Sequence, residues 1–395
     1  MDSVSAVVLA GGEGERLQPL TRNRPKPHLP VTTTPLLEYV FDQLIAAGVE
    51  SITVVVGYKR NRIQAHFGPT YRTIPLTYVT QEQLHGSGHA LLVAESEVSG
   101  TVLVVNGDQF AEGPMITHVL NAHDTNSAVA TLTALDRTDI EPYGGLVLED
   151  SAVVDLVENP MDDRPYYLNA GVYAFEHDIF DELRHLNPNV GELSLIDGIL
   201  SLLESEKTVR ATVSEGTWID ATYPWDLLKM SSAFLDAEIS GKNHENNIAS
   251  SAAIHDSAVI HDPVMIANDC VIGPGAVVGP YTCLGENVTV ESNAAVERSI
   301  IDSDTRVGVS ATVVDCVAGT GVRIGNGTTI PGGSSDIALG DRIFENVTLG
   351  AVFGDRVTDH GNNTYCPGTI VEPNSEIETG TIVRGTVSED KTIKS

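Results

Sequence analysis

Residues 252–296 read AAIHDSAVIHDPVMIANDCVIGPGAVVGPYTCLGENVTVESNAAV. Within them Ile254, Ile260, Ile266, Ile272, Val278, Leu284, Val290 and Val296 follow one another in steps of six. Small or modest residues stand two places before each: Ala252, Ala258, Val264, Cys270, Ala276, Thr282, Val288 and Ala294. Neither the helical period nor the alternation of an ordinary hairpin gives six. A parallel β-helix does, because each six-residue unit forms one flat side of a triangular coil and sends its aliphatic residue inward. The pattern resumes less regularly at Val307, Val313, Ile324 and Ile330. Pro331-Gly332-Gly333-Ser334-Ser335 predicts a loop leaving the coil, and the tail after Gly385, without an inward series, is expected to cap the stack or fray.

Upstream the texture changes. Val4–Leu9 is continuously apolar, as a buried parallel strand should be. From Pro35 the pairs Leu36/Leu37, Val40/Phe41 and Leu44/Ile45 recur every four residues and predict a helix ended by Gly48. Ile52–Val56 and Thr101–Val105 read as further strands. This rhythm predicts an α/β domain with crossover helices. A last helix is expected from Pro224 to Gly241. The expected organisation is an α/β domain over 1–240, a polar linker over 241–250 and the repeat domain over 251–395.

Acidic residues outnumber basic ones, 54 to 23, for a net charge of −31. The excess is spread along the chain, predicting a solvated acidic surface such as proteins of salt-loving microbes carry. No basic stripe exists to neutralise phosphates, which argues against nucleic acid as a partner. No stretch has membrane-spanning length and the N-terminus shows no targeting pattern, so a cytoplasmic protein is expected. Cys270, Cys283, Cys316 and Cys366 form no C-x-x-C pair and are expected to be buried small residues.

After the first strand comes Leu9-Ala10-Gly11-Gly12-Glu13-Gly14-Glu15-Arg16-Leu17. Such glycines let backbone N–H groups approach a phosphate, although taken alone the loop is equally a tight turn. No Gly-Lys-Ser/Thr follows, which excludes a Walker loop, and the third glycine of the dinucleotide fingerprint is missing. Ten residues after Arg16 stands Lys26, in Arg24-Pro25-Lys26-Pro27-His28-Leu29-Pro30. The prolines stiffen this backbone, and Arg16 and Lys26 offer two cations suited to a triphosphate.

These two segments together resemble the signature of sugar-1-phosphate nucleotidylyltransferases, the family of glucose-1-phosphate thymidylyltransferases and N-acetylglucosamine-1-phosphate uridylyltransferases. The resemblance implies a Rossmann-like domain with a mixed, mainly parallel sheet, followed by a left-handed parallel β-helix. It implies nucleotide binding at Leu9, Ala10, Gly11, Gly12, Gly14, Gln81 and Gly86. Val104-Val105-Asn106-Gly107-Asp108 resembles the strand end with a metal-binding aspartate, and Trp218-Ile219-Asp220 the segment with the second. Gly144, Glu158 and Asn169 lie in segments similar to those that bind the sugar. Arg16, Lys26 and Asp108 are thereby the catalytic candidates. Two carboxylates, Asp108 and Asp220, suit Mg²⁺, a hard cation.

The implied reaction joins UTP or dTTP to glucose-1-phosphate or N-acetylglucosamine-1-phosphate, releasing pyrophosphate. Departures from the family pattern are Glu15, Asn159, where relatives carry a phosphate-contacting lysine, and the histidines His28 and His85. Hexapeptide coils also resemble those of acyl-CoA-dependent acetyltransferases, so a bifunctional enzyme using acetyl-CoA is an alternative. His360, beside Asp359, is its candidate base, while His255 and His261 read as outward cap residues. A non-catalytic sugar-nucleotide sensor is a third reading. The preferred role of the coil is assembly of a homo-oligomer, a trimer or hexamer.

Overall fold

The computed structural model describes residues 4–137, 143–162, 164–186, 192–240, 247–340 and 342–393. The chain packs into two units: one holds the residues up to Glu13, Pro25–His28 and Leu36–Asp220, the other Gly14–Arg24, Leu29–Pro35 and the chain from Ala221 onward. Residues 241–246 of the expected linker lie outside the described residues.

In the first unit the strands are β1 (Ser5–Ala10), β2 (Ser51–Val56), β3 (Thr70–Tyr71), β4 (Ile74–Thr80), β5 (Val102–Asn106), β6 (Gln109–Ala111), β7 (Ala130–Leu135), β8 (Gly144–Glu149), β9 (Ala152–Glu158), β10 (Tyr167–Phe175), β11 (Val209–Val213) and β12 (Trp218–Asp220). Ten of them form one sheet in the order β3-β4-β2-β1-β5-β10-β7-β11-β9-β8. The order β4-β2-β1-β5 is parallel throughout, and β10 is inserted antiparallel between β5 and β7. Helices cover both faces. In β1, Ala6, Val8 and Ala10 are buried with Leu37, Val40, Phe41 and Leu44 of α1 (Leu36–Ala46), together with α2 (Arg60–Phe67). Val7 points the other way, into a core shared by α3 (Ser87–Val93) and the helices α5 (Asp178–His185) and α6 (Leu195–Glu204), α4 (Gly113–Asn126) preceding them in the chain. Each such aliphatic side chain contributes about 1.5–3 kcal/mol by leaving water, so a strand buried on both faces must read as an unbroken apolar run.

The second unit contains α7 (Pro224–Ser240) and a left-handed parallel β-helix of three sheets. Ile254, Ile272 and Val290 stack in one sheet at separations of 18 residues, and Val290, Val307 and Ile324 at 17. The inward series is buried as the six-residue period requires, from Ile266 through Val296 and on to Ile330, with Ile254 and Ile260 half-covered at the start. Corners shortened by one residue, between Val296 and Ile301 and again between Val313 and Ala318, break the spacing and explain the irregular pattern beyond. Corners stack in the left-handed backbone region at Asp269, Asn287 and Asp304, and again at Gly275, Asn293, Ser310 and Gly327. Asn, Asp and Gly tolerate that conformation best.

The loop expected at Pro331 leads into an antiparallel hairpin, Ser334–Leu339 with Arg342–Thr348. Phe344 of the hairpin packs against Tyr223 and Trp225 at the start of α7, with ring centroids 4.6 and 5.2 Å apart. The tail corrects its expectation: Thr386–Val387 pairs with Ile370–Val371 and Thr392–Ile393 with Glu376–Ile377, so it continues the coil, and Val387 is buried. Cys270, Cys283 and Cys316 are buried free thiols and Cys366 is half-buried.

Candidate active site

Parallel strands end together, so the C-terminal ends of β1 and β5 lie side by side, where open α/β sheets bind ligands. The Gly107 amide donates to the Leu9 carbonyl at 2.9 Å, fixing the turn that presents Asp108 next to the loop after β1. A Cβ on Gly107 would stand 3.1 Å from that carbonyl and from the Ala10 side chain, so this close approach favours glycine.

Asp220 arrives by a different route. The short strand β12 pairs antiparallel with β6, setting Asp220 opposite Gln109, the residue after Asp108. The Trp218 indole N–H donates to the Ala170 carbonyl at 2.8 Å and anchors β12 against β10. Gly171 completes the support. Its φ is 71°, and a Cβ there would fall 2.2 Å from Gln109 Oε1 and 2.6 Å from Asn106 Nδ2.

Lys26 lies in a one-turn helix, Lys26–His28, that packs against α1. Its Nζ stands 2.8 Å from Asp108 Oδ2 and 3.3 Å from Asp220 Oδ1. Two carboxylates separated by 112 residues in the sequence thus share one ammonium. Burial works against the Lys26 charge, but Asp108 and Asp220 more than offset it and raise the pKa above the ordinary lysine value.

Gln81 is buried over the glycine-rich loop, with Oε1 3.1 Å from where a Gly11 Cβ would be. Its amide donates to the Gly86 carbonyl at 3.0 Å and lies 3.0 Å from His89 Nδ1. Burial, with His85 adding to it, lowers the His89 pKa, so the neutral ring accepts from Gln81. Leu9 is half-covered, Ala10 and Gly11 are buried, and Gly12 is exposed. Gly14 and Arg16 belong to the second unit, Gly14 in the left-handed region before the one-turn helix Glu15–Leu17, where Glu15 and Arg16 are exposed.

The three sugar-site candidates also come together. Gly144 pairs with Glu158, and a Cβ on Gly144 would touch Asn169 at 3.5 Å. The Asn169 amide donates to the Tyr173 hydroxyl at 2.9 Å. Partial burial, and then Asp197, raise the Glu158 pKa. Asn159 sits at φ 49° with its N–H on the Tyr143 carbonyl, which gives a local reason for asparagine rather than lysine there.

His360 does not pair with Asp359. Neighbouring strand residues face opposite ways, and Asp359 points into the coil, accepting from Thr328, Tyr365 and the Gly361 amide. His360 is exposed, its ring 3.8 Å from Glu376, so the expected support for a catalytic base is absent.

A missed set of contacts involves Arg24, two residues before Lys26. It is buried against Asp302, Asp355 and Thr320 of the coil, all within the second unit. The Arg24-Pro25-Lys26 motif was visible in the sequence, but nothing in it named partners some 278 residues away.

A glycine-rich turn after β1 and a lysine-bridged carboxylate pair, one after the parallel strand β5 and one on the β6–β12 ribbon, define an α/β domain of the nucleotide-handling kind. The profile of the nucleotidyl transferase family matches residues 5–237, and the chain belongs to that family. Residues 260–387 match the domain described as the GMPPB C-terminal domain. The bifunctional protein GlmU of Methanococcus aeolicus is 34% identical over 256 residues, covering 64% of this chain and 60% of the relative. The match therefore spans less than two thirds of that relative's length. The UTP–glucose-1-phosphate uridylyltransferase AglF of Haloferax volcanii is 33% identical over 226 residues, which is 56% of this chain and 93% of AglF. A Bacillus anthracis chain crystallised with sucrose, provisionally named a glucose-1-phosphate thymidylyltransferase, shares the fold with a TM-score of 0.55 at 22% identity, over 58% of this chain and 95% of its own.

Proposed function

We propose that the protein transfers a nucleoside monophosphate from UTP or dTTP to a sugar-1-phosphate, glucose-1-phosphate or N-acetylglucosamine-1-phosphate, with release of pyrophosphate. The observation that carries this reading is Lys26 lying between Asp108 and Asp220 at the strand ends. A phosphate oxygen of the sugar phosphate attacks the α-phosphorus in line; the bond to the β-phosphate oxygen breaks and pyrophosphate leaves. The protein forms no covalent bond in this scheme. It holds two anions in register and offsets their charge.

Lys26 neutralises the transferring phosphate, and Arg16 contributes a second cation to the triphosphate. The backbone of Leu9–Gly12 and Gly14 cradles phosphate, and the Gln81 amide, with Gly86 beside it, reads the base edge. Asn169 both donates and accepts towards sugar hydroxyls, Glu158 accepts, and Gly144 leaves room for the ring. Asp108 and Asp220 would hold Mg²⁺, which fits two hard carboxylate oxygens gathered around one positive charge; when bound it supplies charge and coordination for phosphate oxygens. Among the described residues no cluster of three or more His, Cys, Asp or Glu side chains gathers, so phosphates and water would complete that shell. Residues 1–240 serve as the transferase domain and 251–395 as a coil that assembles copies of the chain.

The test is a screen of UTP and dTTP against a panel of sugar-1-phosphates, with Mg²⁺ at high KCl, reading pyrophosphate. Release that depends on both substrates supports the reading. No release from any pair overturns it. Light scattering on the same preparation reads the assembly.

A further inference from the structure

The segment Gly14–Arg24 packs with the coil. Its end is clamped there by charge. Arg24 bonds Asp302 through Nη1, and its Nη2 lies 2.9 Å from Asp355 Oδ1 and 2.6 Å from Thr320 Oγ1. Asn23 Nδ2 donates to Asp355 Oδ2 at 3.1 Å, and Arg22 Nε to Glu372 Oε2 at 3.2 Å. These partners follow the strands Ile300–Ile301, Val317–Ala318, Ala351–Phe353 and Thr369–Val371, so four successive turns of one sheet each send a residue to the same edge.

The coil side is preorganised. The Thr320 hydroxyl donates to Asp302 at 2.9 Å, the Thr320 amide to Asp355 at 3.1 Å and the Ser303 amide to Asp302 at 2.7 Å. The side chains of Arg24, Asp302 and Asp355 are 10%, 11% and 7% exposed. A carboxylate pair this shielded is costly without its cation, and a guanidinium spread over two carboxylates has a defined direction that a lysine would lack.

We propose that Arg24 is a positioning residue: by locking Gly14–Arg24 onto the Asp302–Thr320–Asp355 edge of the β-helix, it sets the backbone that carries Arg16. The coil then orders the segment whose Arg16 is assigned to the triphosphate, and is not only a means of assembly. This inference rests on the transferase reading above.

The test uses the full chain with Asp302→Asn and Asp355→Asn combined, which keeps shape and removes charge. Two readouts are taken: steady-state pyrophosphate release, and hydrogen exchange of the Gly14–Arg24 amides. Exchange in that segment is expected to accelerate, and KM for the triphosphate to rise tenfold or more, with KM for the sugar phosphate within twofold of the parent. Arg24→Lys should fall between parent and double variant. Should the double variant fail to fold, Glu372→Gln, at the rim of the clamp, is expected to shift both readouts in the same direction by a smaller amount. Unchanged kinetics overturn the proposal, whether or not exchange accelerates. An equal loss for both substrates also overturns it, because general damage has no preference between them. If the parent chain releases no pyrophosphate, it is the transferase reading that fails, and amide exchange still reports whether the clamp orders the segment.

Discussion

Lys26 keeps its charge across the range in which an enzyme works, because Asp108 and Asp220 overcome the cost of its burial. With its folded pKa above the ordinary value, the Lys26 charge and its contribution to stability are fully present below about pH 10 and are lost only as the pH rises through the raised value. Lys26→Ala is expected to lower turnover by roughly 10²–10³-fold, the range found when one preorganised electrostatic contact to a transition state is removed. Asp108→Asn should do the same, and circular dichroism of both variants should match the parent; near-parent turnover in either one refutes the assignment. His89 yields a prediction about pH. Its pKa is lowered from 6.5, so the ring that accepts from Gln81 stays neutral to lower pH than an ordinary histidine. Stability from this neutral form is complete above pH 6.5, begins to fall below it and is lost as the pH passes down through the depressed value. Triphosphate affinity should weaken only as the pH falls through the depressed value, where the folded ring takes up its proton and can no longer accept the Gln81 amide. His89→Asn, which keeps an acceptor that does not titrate, should flatten that dependence; an unchanged pH profile would remove Gln81 and His89 from the nucleotide site. Most of these residues were legible, because loop glycines, a braced lysine and strand-end aspartates stand in compact motifs. The Arg24 clamp was not, since an ion pair between distant residues leaves no periodic or local trace.

At the scale of elements, the glycine in the bulge of β10 carries the sharpest expectation. Gly171 has a positive φ and lies against Gln109 and Asn106, the residues on either side of the Gly107–Asp108 turn. Gly171→Ala combines a left-handed alanine, costing about 1–2 kcal/mol, with a clash against the side-chain ends of Gln109 and Asn106, whose mutual hydrogen bond would have to give way. A total loss of roughly 2–4 kcal/mol is expected in thermal unfolding, with turnover reduced because Gln109 sits opposite Asp220. A variant as stable and as active as the parent would mean that the β6–β12 ribbon does not set the spacing of the two aspartates. That ribbon also shows where sequence reading stops. Its strands have three residues each, too short for any hydrophobic period, yet they bring Asp108 and Asp220 together. The coil was readable as far as Val296, where the six-residue step is unbroken. Beyond it shortened corners, an inserted hairpin and the inward Asp359 each broke the aliphatic rule without ending the fold. Asp359 escapes the rule because Thr328, Tyr365 and Gly361 supply its hydrogen bonds, so a polar residue can occupy an aliphatic position.

For the molecule as a whole the governing quantity is charge. With 54 acidic residues against 23 basic, the folded chain confines a net charge of −31. Several of the basic side chains are already engaged, Arg24 with two aspartates and Lys26 with two more, which leaves the exposed acids with few partners. Self-repulsion of this kind opposes the compact state and acts over distances that salt controls: the screening length falls from about 10 Å at 0.1 M to about 3 Å at 1 M. Buried pairs such as Arg24 with Asp302 and Asp355 are screened far less than surface charges, so added salt relieves the repulsion and largely spares the clamp. The melting temperature is therefore expected to climb as KCl is raised from 0.1 to 2 M, most steeply below 1 M where the screening length changes fastest. NaCl at equal ionic strength should give nearly the same curve, because screening depends on ionic strength and not on which monovalent cation supplies it. A melting temperature that is flat or falls with KCl would show that repulsion among the surface acids does not limit this fold. A rise with KCl but not with NaCl would point instead to specific potassium binding.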